Sequence, residues 1–134
     1  MLSPSLTTVR LFLHVLGASV WVGGQFALAG IVPALRRSAP ESTKVVAPAF
    51  ARVAWPAFGL TVVTGIWNMM AIDLTAASGA YQGTLLLKLG VAILSGVFAG
   101  VHAAGRSRAA LAIGGALGAL TSLLALFLGV LLHS

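Results

Sequence analysis

The side chains here with the strongest claim to chemistry are His14, His102, His133, Lys88 and the pair Met69 and Met70. Imidazole and thioether are both ligands for copper, and thioether favours Cu(I). Imidazole also holds haem iron, with methionine or a second histidine opposite. Histidine and lysine can pass protons within a membrane. Little else in the chain is reactive. It has no cysteine, which excludes disulfides, thiolate metal sites and cysteine nucleophiles. Two acidic residues leave no carboxylate pair for hydrolysis, and no Ser-His-Asp set, HExxH motif or GxxxxGK loop occurs. Gly23-Gly24 lies inside an apolar run and is no phosphate loop. These residues point to binding or transfer rather than catalysis; an enzyme built from them would be a haem-dependent membrane oxidoreductase.

Spacing groups these residues. His14, Trp21 and Gln25 fall at helical intervals, so they share a helix face. Thr61, Thr64 and Asn68 share another, and Lys88, Ser95 and His102 recur at seven-residue steps. An ionisable group near the bilayer centre costs about 2.5–3.5 kcal/mol on insertion scales, so such groups turn inward. The simplest packing directs all three stripes to a common interior. His14, Met69, Met70 and His133 form the candidate metal set. His14, Trp21, Asn68, Lys88 and His102 form the candidate cofactor set. His102 stands 14 residues after Lys88, about 21 Å along a helix. It therefore belongs near the opposite face with Arg106, too far from His14 to share one metal or haem. Plainer roles compete: Lys88 can snorkel to the interface, His133 can be a solvated helix end, and the methionines can pack. Trp55 and Trp67 suit interfacial belts, whereas Trp21 lies deeper and its indole N–H needs a partner.

The elements that must carry these stripes follow from composition. Of 134 residues, 59% are hydrophobic and 7% charged, with a mean hydropathy of +1.05. A soluble domain carries about 25% charged residues, so a soluble enzyme, a disordered chain and a nucleic-acid-binding domain are all excluded. A membrane span needs roughly 20 apolar residues. Four such segments occur, at about 11–35, 53–72, 84–104 and 109–132. The expected fold is all-α, a polytopic membrane protein forming a single bundle of four transmembrane helices. Pro40-Glu41-Ser42 reads as a helix start, making 41–52 an interfacial extension of the second helix. A signal peptide competes for the first segment, but the run is too long for an h-region and His14, Trp21 and Gln25 interrupt it.

Arg36, Arg37, Lys44, Arg52, Arg106 and Arg108 flank the first and third connections, and Arg10 alone counts against that side. The positive-inside rule makes it cytoplasmic, which places both termini and the 73–83 loop outside an inner membrane. The lipid bilayer is the first partner. Ala92, Gly96, Gly100 and Ala104, and Gly114 with Gly118, are spaced for close helix contact within the bundle or across a homodimer or larger complex.

The residues also resemble the CopD domain, the membrane module of copper resistance protein D. His14 and Trp21-Val22-Gly23-Gly24 resemble its His-x6-Trp-x-Gly-Gly opening. Phe50-Ala51-Arg52 and Thr64-Gly65 resemble its second helix, and Tyr81 to Lys88 resembles its Tyr-x-Gly-x-Leu-Leu-x-Lys stretch. The resemblance reaches about residue 108. It implies copper binding or transfer at the outward end of the bundle, led by His14 with Trp21, Gly24 and Lys88 in support. The first helix is also similar to that of HemJ-type protoporphyrinogen oxidases, which implies b-type haem and electron or porphyrin chemistry. A structural subunit of a larger membrane complex is the third reading.

Overall fold

A computed structural model describes residues 3–134. Four long helices make up almost all of it, with no strand among the described residues: α1 (Leu6–Ser38), α2 (Thr43–Met70), α3 (Gly79–Ala104) and α4 (Arg108–Leu131). A short 3-10 turn, Pro40–Ser42, leads into α2. Each helix is long and apolar enough to cross a membrane. The fold is therefore all-α, as the hydropathy pattern indicated.

Local chemistry sets the ends. Ser5 caps α1 by accepting from Thr8 N at 3.2 Å, and Thr8 returns the bond to the Ser5 backbone, completing a capping box. Ser78 and Ser107 cap α3 and α4 in the same manner, accepting from Tyr81 N and Ala110 N. Pro40 ends α1 and starts the next turn, since it has no N–H to continue a helix but suits a first helical position. The chain from Thr43 to Arg52 is indeed helical and continuous with the second span. α1 also starts earlier than hydropathy suggested, because its first turn is polar and held by its cap.

The helices form two compact units, one ending at Ile72 and the other comprising Asp73–Ser134. Each is a helical hairpin. In hairpin 1, His14 meets Thr61 and Thr64, while Gly24 lies under the Phe50 ring. Later residues of α1 thus meet earlier residues of α2, and the two run antiparallel. In hairpin 2, Lys88 lies beside Gly129 and His102 beside Leu111, so α3 and α4 are antiparallel too.

Glycine permits the close approaches. A Cβ on Gly17 would stand 2.5 Å from Thr61 Oγ1 and 2.8 Å from the Ala57 carbonyl oxygen. A Cβ on Gly114 would stand 2.8 Å from His102 N. Gly100, in the small-residue ladder of α3, faces open space instead.

Candidate functional site

Hairpin 1 is built around His14. Its Nδ1 lies 3.0 Å from the Thr61 carbonyl oxygen and 3.0 Å from Thr64 Oγ1. The Thr64 hydroxyl gives its own proton to the Leu60 carbonyl at 2.6 Å. Both groups facing Nδ1 therefore act as acceptors, and Nδ1 must carry the ring proton. In the neutral imidazole this leaves the lone pair on Nε2. Metal-binding histidines are commonly held this way, with one ring N–H on a backbone carbonyl and the other nitrogen on the metal. A Cβ on Gly65 would stand 3.2 Å from His14 Cε1, so the absent side chain makes room for the ring edge.

Two sequence stripes meet here. Thr61 and Thr64 bond His14, and Thr64 is buried. Trp21 is 5% exposed, packed with its ring centroid 4.5 Å from Phe58 and 5.4 Å from Trp55. Trp55 thus belongs to an aromatic cluster with Trp21 as well as reaching the surface. Gln25 donates to the Trp21 carbonyl at 3.3 Å. Asn68 is half-buried, one turn beyond Thr64. Met69 is half-buried one turn beyond Gly65, on the α2 face that the imidazole edge meets, whereas Met70 is 81% exposed.

The α3 stripe turns toward α4 in hairpin 2. Lys88 Nζ lies 3.1 Å from where a Gly129 Cβ would be. Ser95 is 1% exposed. His102 is exposed and its Nδ1 donates to the Leu111 carbonyl at 2.6 Å, across the α3–α4 turn. His133 is exposed at the end of α4, where its Nδ1 donates to the Gly129 carbonyl at 2.9 Å. Lys88 and His133 therefore converge on one glycine. Among the described residues no three His, Asp or Glu side chains gather as a metal cluster.

Sequence reasoning gave little weight to three further residues. Gly17 and Gly129 were unmarked within glycine-rich helices, and Arg10 counted only as a charge. The available signal was periodicity: Arg10 stands four residues before His14, hence on its face. Comparison with family models, with curated proteins and with solved structures returns no match.

Proposed function

We propose that this chain is a multi-pass protein of the cytoplasmic membrane that takes a copper ion through His14 and helps to transfer it. The observation that supports this reading is the tether of His14 Nδ1 to Thr61 and Thr64, which puts the ring proton on Nδ1 and makes Nε2 the nitrogen that would take the metal. Met69 supplies a thioether one turn along α2, and an imidazole with a thioether is a soft donor set suited to Cu(I). The CopD-like spacing of His14, Trp21 and Gly24 supports the same cargo. Clustering of basic residues at the first and third connections supports an outward-facing His14, with both termini outside.

Copper is cargo in this reading, so His14 must bind and also release it. A single tethered imidazole with a flexible methionine fits that demand better than a closed cage. The test is metal analysis with an absorption spectrum on protein taken gently from its native membrane. Copper near one equivalent, lost in His14→Ala with helicity retained, is expected. A Soret band lost in that variant would assign haem b to the same nitrogen instead. Neither group in the native protein would leave the structural-subunit reading.

A further inference from the structure

One turn from His14, hairpin 1 carries a second polar feature. Arg10 precedes His14 by four residues on α1, and Asn68 follows Thr64 by four on α2. The helices are antiparallel and His14 touches Thr64, so both steps run the same way along the hairpin. They bring Arg10 and Asn68 to one level. Each has a buried polar atom with no hydrogen-bond partner: Nε of Arg10 and Oδ1 of Asn68. Buried polar groups, and guanidinium donors above all, are normally matched. The chain's two acidic residues serve elsewhere. Glu41 lies at the opposite end of hairpin 1, and Asp73 Oδ1 accepts from Thr75 and Ala76 in its own loop.

We propose that Arg10 and Asn68 form a seat for a phosphate group. Phosphate oxygens accept from the Arg10 Nε–H and, after a half-turn of the Asn68 amide, from its Nδ2–H. Arg10 is the fifth residue of α1 and Asn68 the third from the end of α2. The seat therefore lies where the helices leave the hydrocarbon, at the depth of lipid phosphates. The positive end of the α1 dipole, with no acidic residue in its first turn, adds to the attraction. A lipid phosphodiester and free phosphate share this chemistry. The seat is independent of what His14 holds.

The test follows the Arg10 15Nε–1H resonance in a maltoside detergent, which has no phosphate, with Arg10→Lys identifying the signal. Inorganic phosphate is titrated in one arm and a short-chain phosphatidylglycerol in the other. A saturable shift is expected, and the arm that produces it names the source. Asn68→Leu should weaken binding about fivefold or more, the loss of one charge-assisted bond. Asn68→Asp, nearly isosteric but anionic, should abolish it while helicity is retained. No shift in either arm, or an equal shift in the Asn68→Asp variant, would overturn the proposal.

Discussion

The proposed role of His14 rests on a tether that side-chain identity alone does not reveal. The imidazole stood out in the sequence because an ionisable group in an apolar helix needs a reason. Its acceptor, the Thr61 carbonyl, belongs to the backbone and has no sequence signature. Thr64 was visible as a member of a polar stripe and of the CopD-like Thr64-Gly65 step, neither of which shows that it meets His14. Thr64→Val removes one of the two acceptors at Nδ1 while keeping shape, so copper affinity should fall about tenfold. Thr64→Ser should restore it, because the hydroxyl returns. Equilibrium competition with a Cu(I) chelator reads both variants. Equal affinity in Thr64→Val would show that the Thr61 carbonyl suffices.

Helix identity was legible from hydropathy and the start of the second helix from Pro40-Glu41-Ser42, while the start of α1 and the contacts were not. The polar first turn of α1 lies outside the apolar run, yet the Ser5 cap holds it. Close contacts were hidden among sixteen glycines of similar setting. Gly17→Ala would drive a Cβ into the Ala57 carbonyl and Thr61, and overpacking of this kind costs about 1–3 kcal/mol. Gly23→Ala, with nothing within 4 Å, should leave stability unchanged or raised. Thermal unfolding in detergent compares the two. The α2–α3 loop should respond to acid. Hydrogen bonds from the Thr75 side chain, then from the Thr75 and Ala76 backbone, hold the Asp73 carboxyl below its ordinary pKa. Ionised Asp73 therefore holds the loop at neutral pH. That hold is lost as pH falls below about 4 and through the lowered folded value. Amide exchange at Thr75 and Ala76 should accelerate as pH falls from about 4 downward, beyond the intrinsic trend, and Asp73→Asn should flatten the change.

Across the whole chain, composition was enough to indicate a membrane protein, because ten charged residues cannot cover a soluble globule of 134. Side-chain partners required coordinates. The α1 and α2 stripes meet each other in hairpin 1, and the α3 stripe meets α4 in hairpin 2. The proposed topology has its own check. A cysteine introduced at Ala76 should react with an impermeant reagent from outside, and labelling only from the cytoplasmic side would move His14 to the inner leaflet. The proposed function rests on Nε2 of His14 as the ligand nitrogen. Its most direct measurement is 15N NMR of ring-labelled histidine during titration with Ag(I), a diamagnetic stand-in for Cu(I). Nδ1 of His14 should carry a proton throughout, with the metal-induced shift falling on Nε2. A shift on Nδ1, or no shift on His14 while His102 or His133 takes the metal, would contradict it.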